Sequence, residues 1–572
     1  MNRRHFVVST AAALTAVTVP RRLDAADADA AAVLRGLVRD HDAQIPEILG
    51  RQETQPGHPA FGGVRDGYGL HAASAANGFI TALATAACAP GSRYLGDTAL
   101  VEPLRRAIAF LRRVQHADGT IDYYETNFHS TPDLAFILEK ACPACALLRA
   151  SPVPALSALA EELGAFIRRG GEALVVGGVH TPNHRWIVCS ALAWVHSLFP
   201  DPRYVARADR WLAEGIDLDP DGQYTEKSTT IYSPHVNRAL LTVARLLDRP
   251  ALREPVRRNL EMTLYYVHPD GEVVTEASRR QDRGQRGTMA RYYYGYRTLA
   301  RQDGNGRFAA MARQIERGLA PRHPGELLVY LTEPDFGGPL PPDAPLPTDY
   351  AKVFPHSSLA RIRRGQASGT ILAGNTTLFS FRKGAAALEA VRFATAFFGK
   401  GQFTGAALEV RDGRYVLRQE LEGPYFQPLT AAQIADGDHV RMAPNGTLAN
   451  HKDYRAHSEV QTLRAEVVVT ETRGVFDLAF SITGTAFVPV ALELAFRHGG
   501  KLEGVRPAPG VKDGWLLAEG TGRYSSGGDV IAFGPGRAEH TYTQVRGAVP
   551  KWDGQSVYLT GTTPFEFSLR IS

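Results

Sequence analysis

From about residue 30 to residue 320 the apolar positions recur at intervals of three and four, as in 104–114, 156–167, 187–198 and 236–247. That period places one apolar stripe on each of a succession of helices. A slower period overlies it. Glycine-containing breaks fall at Gly67, Gly119, Gly171, Gly222 and Gly271, at intervals of 52, 52, 51 and 49 residues. Three share a signature: Asp118-Gly119-Thr120, Asp221-Gly222-Gln223 and Asp270-Gly271-Glu272. A unit of about 50 residues with two helices and a glycine turn is one helical hairpin. One hairpin cannot bury its own apolar face, so neighbours must stack on it. Five or six would curl into an (α/α) toroid whose equivalent turns emerge at one end, rich in Tyr, Asp, Glu, His and Asn. An open helical solenoid that binds a partner protein is the competing architecture.

Between 323 and 350 the pattern changes, with Pro339, Pro341, Pro342, Pro345 and Pro347 in a short run, a stiff connector and the expected domain boundary. From 351 to 572 short β-rich segments alternate with glycine turns, at 370–373, 377–382, 414–421, 465–472, 487–497, 515–518 and 565–571. Helices followed by strands without interleaving point to a toroid over 29–322 followed by an antiparallel β-sandwich, not to a parallel α/β domain.

Composition sharpens this little: 44% apolar and 22% charged residues describe an ordinary folded protein. The net charge of +5 over 572 residues is dispersed, with no long basic run, so nucleic acid is not indicated, whereas an acidic glycan is compatible. The N-terminus is more specific. Arg3-Arg4-His5-Phe6 precedes an apolar run too short to span a bilayer, which reads as a twin-arginine export signal over about 1–28 and a periplasmic or secreted protein. Four cysteines exclude a disulfide scaffold, and Cys142-Pro143-Ala144-Cys145 lies in a helical apolar pattern, where buried small residues are the expected reading over a redox pair.

The chemistry concentrates between His180 and Arg238. Asn183 and His184 open one helical pattern, followed by Arg185 and Trp186, and Tyr232 precedes the next, with Tyr224 and Glu226 in the turn before it. An amide, an imidazole and a phenol one hairpin apart suit removal of a proton beside a carboxylate. The carboxylate must be neutralised by donors, and a phenol can carry the proton. Asn183 and His184 fit the first role and Tyr232 the second. Tyr224, Glu226, Arg185, Trp186, Asn127, His129, Gln281 and His356 are candidate sugar-binding residues. Within 278–283 Arg279, Arg280 and Arg283 flank Gln281, and the run Tyr292-Tyr293-Tyr294-Gly295-Tyr296 is too dense to point one way, so at least two of its rings belong in a core.

The two-domain plan and these two short stretches resemble the heparinase II/III-like and oligoalginate-lyase group of polysaccharide lyases. The resemblance implies a toroid before a β-sandwich, an Asn or His that neutralises a uronate carboxylate, and a Tyr one hairpin onward as acid or acid/base, here Asn183-His184 and Tyr232. It also implies a further His early in the β-domain. The comparable stretch, 392–403, has none, leaving His356, His129 or His235 as substitutes and the general base unassigned. No ligand motif for structural zinc or calcium stands out, and no cofactor is expected. Two other functions stay open: a glycoside hydrolase using two carboxylates among Asp66, Glu125, Asp221 and Glu226, and a non-catalytic glycan-binding protein.

Overall fold

The computed structural model describes residues 25–319, 325–437, 452 and 454–572; the expected export signal falls almost entirely outside them. The N-terminal part is a ring of helical hairpins. In chain order the helices are α1 (Ala25–Leu49), α2 (Ala73–Cys88), α3 (Val101–Val114), α4 (Thr131–Ala150), the one-turn α5 (Pro154–Ser157), α6 (Leu159–Val176) and α7 (Pro182–Leu198). They continue with α8 (Pro202–Leu212), α9 (Tyr232–Leu246), α10 (Arg253–Thr263), α11 (Tyr293–Asp303), α12 (Gly306–Leu319) and α13 (Gly325–Thr332).

Inner and outer helices differ as their sequences require. Helices α2, α4 and α7 bury residues on nearly every side, because each has a neighbour on both flanks and an outer helix behind it. Outer helices such as α3 bury a single stripe, Leu104, Ala107, Ile108 and Leu111, and present arginines to solvent. The inner ring runs α2 to α4 to α7 to α9 to α11, and α13 packs against α1, α2 and α4 to close it. The segment read as a connector is therefore partly structural: it contains α13, and its proline run is strapped to the toroid. Arg297 donates to the carbonyls of Phe336 and Gly338, and Ala344 donates to that of Gly306.

The glycine period is only partly what the sequence suggested. Gly119 and Gly222 lie in tight turns at φ +86° and +95°, each so close to the next outer helix that a Cβ would sit 2.3 Å from the Arg169 carbonyl oxygen or 2.7 Å from that of Arg258. The equivalent position in the first hairpin is Gly62, not Gly67: its φ is +82° and a Cβ would meet the Arg106 carbonyl oxygen at 2.3 Å. Gly171 is no turn. It sits inside α6, where its missing side chain lets Val195 and Tyr204 approach. Most connections at this end are long, at 50–72, 115–130, 213–231 and 264–292, the exception being the five-residue link 177–181 into α7.

The C-terminal part is a sandwich of two sheets, and each of the seven sequence-read segments overlaps one of its strands. One sheet places Val475–Gly484 between His457–Thr472 and Phe565–Ile571; the other places Pro489–Phe496 between Ala386–Thr395 and Gln555–Thr562. Strand pairing is antiparallel except where Gly514–Leu516 runs parallel to Gln555–Thr562, beside a parallel bridge from Ala538 to Thr560. Phe393 of one sheet meets Phe480 of the other edge-on at 5.6 Å, in a core shared by both. The stretch 392–403 is spent on this core: Arg392 forms a buried ion pair with Glu493, and Phe397 and Phe403 are buried.

The sandwich joins the toroid through a buried polar seam. Glu276, from the long loop after α10, accepts from Thr370 Oγ1 at 3.0 Å and from Ser380, with His268 Nε2 at 3.5 Å. Arg361 of the sandwich is fully buried and donates to the Tyr265 carbonyl at 3.0 Å, and Arg497 pairs with Glu272 at 2.6 Å. Buried ions have to be paired, and the partners here come from different domains, so the seam holds the long loop in one position.

Candidate active site

Asn183 and His184 occupy the first turn of α7, a helix whose N-cap residue, Thr181, contributes no side-chain cap. The cap comes from the next hairpin: Glu226 Oε1 accepts the Asn183 backbone N–H at 3.0 Å and also its side-chain amide. The anion at this helix start is thus Glu226 itself, favoured there by the free N–H groups. The contact also orients Asn183, since a carboxylate tolerates only the NH2 end of the amide. The second amide hydrogen lies on a long 3.2 Å bond to Thr181 Oγ1, and Asn183 Oδ1 is buried without a partner among the described residues.

Glu226 continues the chain of contacts. Its Oε2 is 3.4 Å from Arg280 Nε, and the Arg280 guanidinium lies over the Tyr232 ring, 5.2 Å from its centroid. Arg280 is one-third exposed, and its two terminal nitrogens make no hydrogen bond to the described residues, leaving a planar fork of the kind that fits a carboxylate. The Tyr232 hydroxyl likewise has no bond to a described residue. Its backbone is fixed: Tyr232 N–H donates to Ser228 Oγ, and Asp282 accepts from Ser228 Oγ, Thr230 N–H and Thr230 Oγ1. Asp282 thereby ties the loop that carries Arg280 to the start of α9. Arg283 donates to Asn375 Oδ1 of the sandwich and Asn375 Nδ2 to the Glu276 carbonyl at 2.8 Å, so the same loop is braced from both domains.

His184 is buried, edge-on to His180 at 4.8 Å and to Phe136 at 6.0 Å, with Nδ1 unpartnered among the described residues. Burial, reinforced by His180, lowers its pKa to about 4. His235, one turn into α9, is lowered further, to about 3, by burial and then by Arg291 and Lys140. Both imidazoles are neutral at neutral pH. Unfolding returns them to the ordinary value of about 6.5, so the unfolded chain binds protons first. The stability tied to these neutral groups is complete above about pH 6.5 and is lost as pH falls toward 4. The Tm is expected to decline steeply over that interval, and less steeply in His235→Gln; equal slopes would refute the assignment.

The other sequence candidates divide. Trp186 is fully buried and donates to Asp217 Oδ1 at 2.7 Å, and Tyr224 is buried with its hydroxyl on Asn237 Oδ1 at 2.8 Å, so both are core residues with no face for a sugar. Arg185 is turned away onto Glu214 and Asp217, at 2.8 and 3.4 Å. His129 stacks on His116 at 3.8 Å and pairs with Asp118, while Asn127 donates to Asp133; neither contacts the Asn183 cluster. Gln281 is exposed next to Arg280. His356 is exposed on a sandwich turn beside the Glu226 loop, where its carbonyl accepts from Lys227 at 3.0 Å. All four tyrosines of 292–296 are buried, with hydroxyls bonded to the Thr229 carbonyl, Tyr330 and Glu316, Glu333, and the Leu260 carbonyl. Of the carboxylates weighed for hydrolysis, Asp66 caps its own loop, Asp221 accepts from Ser357 N–H and Glu226 holds Asn183.

The cysteines are unpaired; burial pushes the Cys145 thiol up to about 11 and Cys142 well above the ordinary range, as inert core positions require. Among the described residues no group of three His, Cys, Asp or Glu is arranged to hold a metal ion, and no helix is long and apolar enough to cross a membrane. Arg280 is the site residue that sequence reading did not single out.

No protein-family model matches the chain, and no curated protein matches it. Solved structures do. A heparinase III with methylated lysines is similar at TM-score 0.53 and 12% identity, over 93% of this chain and 83% of its own. The chondroitin AC lyase of Streptomyces coelicolor A3, solved with chondroitin sulphate, is similar at TM-score 0.52 and 15% identity, over 98% and 80%. A Paenibacillus xanthan lyase is similar at TM-score 0.55 and 10% identity, over 96% of this chain but 57% of its own. With its ring of hairpins followed by a two-sheet sandwich, the chain has the (α/α) toroid plus β-sandwich fold of these polysaccharide lyases.

Proposed function

We propose that the protein is an exported polysaccharide lyase that cleaves a uronic-acid-containing glycan by β-elimination, leaving a C4–C5 unsaturated uronate. One observation carries the reading: Asn183, Glu226, Arg280 and Tyr232, from three successive hairpins, form one connected set at the loop end. The uronate carboxylate is received by the Arg280 fork, the second Asn183 amide hydrogen and the neutral His184 ring. A charged acceptor easily replaces the long bond to Thr181, because charge-assisted bonds are the stronger ones. Neutralising the carboxylate makes the C5 proton removable.

Tyr232 then carries that proton. The C5–H electrons form the C4–C5 double bond, the C4–O4 bond breaks, and O4 leaves with the proton returned by the same phenol. Tyr232 enters and leaves the cycle in one protonation state, with the Arg280 guanidinium held over its ring at 5.2 Å. Offered a panel of uronate glycans, the purified protein is expected to generate the ultraviolet absorbance of an unsaturated uronate on at least one. New reducing ends without that chromophore would instead establish hydrolysis.

A further inference from the structure

Below the site the toroid axis is hollow. A cavity of about 310 Å³ is lined by inner-ring residues, among them Thr81 and Thr85 of α2, Phe136 and Lys140 of α4, and His235 and Arg238 of α9. Helices α2, α4 and α9 all begin at the loop end, and the lining residues lie about one to three turns inside those starts, so the hollow sits roughly 5–15 Å beneath the loops. Two features join it to the site. Tyr232, His235 and Arg238 follow one another at intervals of three along one stripe of α9, and the Phe136 ring lies edge-on to both His184 and His235, at 6.0 and 5.8 Å. Gly78 and Ala82 line this cavity and also a second hollow that opens among residues 48–67. Leu328 and Arg238 also line the axial cavity, and Arg238 faces Glu326 at 3.6 Å and lies over the Tyr294 ring.

Lys140 is the anomaly here. It stands on an inner helix whose other residues are mostly buried, yet it is solvent-exposed, and it has no ion pair or hydrogen bond to a described residue. A lysine on an inner helix is exposed only if it reaches into open volume, and the volume beside it is this cavity. An ammonium that reaches into an enclosed hollow and has no described partner there is placed to meet an anion entering it.

We propose that the axial cavity seats the terminal acidic sugar of the substrate, with Lys140 as receptor for its anionic group, so that cleavage proceeds from a chain end. This rests on the lyase reading for its exo consequence, but not for the binding itself. The volume suits one sugar unit, at the small end of ligand sites of about 300–1,000 Å³, and Phe136 supplies an apolar wall against a ring. The charges facing the cavity are Lys140 and Arg238, with Arg291 nearby, against Glu139 and Glu326. Burial raises Glu139 to about 7, which discounts its negative charge and leaves the cation dominant.

Two measurements test this. Free glucuronate, with glucose as neutral control, is titrated calorimetrically into full-length Tyr232→Phe protein with and without Lys140→Met. Glucuronate is expected to bind, glucose not, and Lys140→Met to weaken binding at least tenfold while Lys140→Arg retains it. In parallel the first products of the parent on a uronate glycan are sized. Small unsaturated units released while the polymer stays long support end-wise cleavage; a spread of oligosaccharides from the outset overturns it. Glucuronate binding that ignores Lys140 overturns the pocket even where the chromophore appears. Lys140-dependent binding without any chromophore keeps the pocket and sinks the lyase reading instead.

Discussion

Tyr232→Phe is expected to lower kcat by about 10²–10⁴, with KM little changed and the Tm unmoved. Each part follows from the geometry. The hydroxyl makes no bond to a described residue, so its loss strands no buried partner. The ring remains beneath Arg280 at 5.2 Å, and the start of α9 remains fixed by Ser228 and Asp282. What disappears is the proton carrier, whose contribution is typically of that size; a thousandfold loss corresponds to about 4 kcal/mol of transition-state stabilisation. Binding survives because the carboxylate receptors, Asn183, His184 and Arg280, are untouched. Chromophore formation on the active glycan, measured as kcat and KM separately, checks this. A variant retaining more than a tenth of parental kcat would remove Tyr232 from the mechanism.

The architecture was largely legible because it depends on period, and period survives in a sequence. Helical spacing over 290 residues, a proline run and then short β-rich segments specify toroid and sandwich without knowledge of any contact. The errors fall where meaning depends on a partner distant in the chain. Gly171 and Gly119 look alike in a 50-residue register. Only packing shows that one relieves a helix crossing and the other escapes a collision with the Arg169 carbonyl. Trp186 and Tyr224 were read as sugar contacts because aromatic residues beside candidate catalytic groups often are. Their polar ends are satisfied by Asp217 and Asn237, which no local pattern announces.

The site was legible to the same degree. Asn183, His184 and Tyr232 are found from their place at helix starts one hairpin apart. Arg280 is not, since Arg279, Arg280 and Arg283 stand within five residues and the sequence does not say which turns inward. The structure distinguishes them: Arg279 is exposed, Arg283 reaches the sandwich, and Arg280 alone of the three lies between Glu226 and Tyr232. The repeat brings the whole cluster about one hairpin beyond Glu226 but does not choose among its members.

Asn183→Ala is expected to cost about 10²–10³ in kcat, the scale on which one preorganised donor to a developing anion acts. The more informative result concerns Glu226, which touches no substrate and works through Asn183 and Arg280. Glu226→Gln can still accept the Asn183 backbone N–H but no longer neutralises Arg280. It should lose less activity than Glu226→Ala, because the cap of α7 and the hold on Asn183 are kept. Glu226→Ala should approach Asn183→Ala in severity, since it releases the amide from its one enforced orientation and removes the cap of α7. The cycle decides between positioning and independent action: if Glu226 acts by holding Asn183, the double variant Asn183→Ala, Glu226→Ala is scarcely slower than Asn183→Ala alone. Losses that multiply in full would show that Glu226 has its own role in the reaction, and the chain of contacts from α7 to Tyr232 would no longer be one unit.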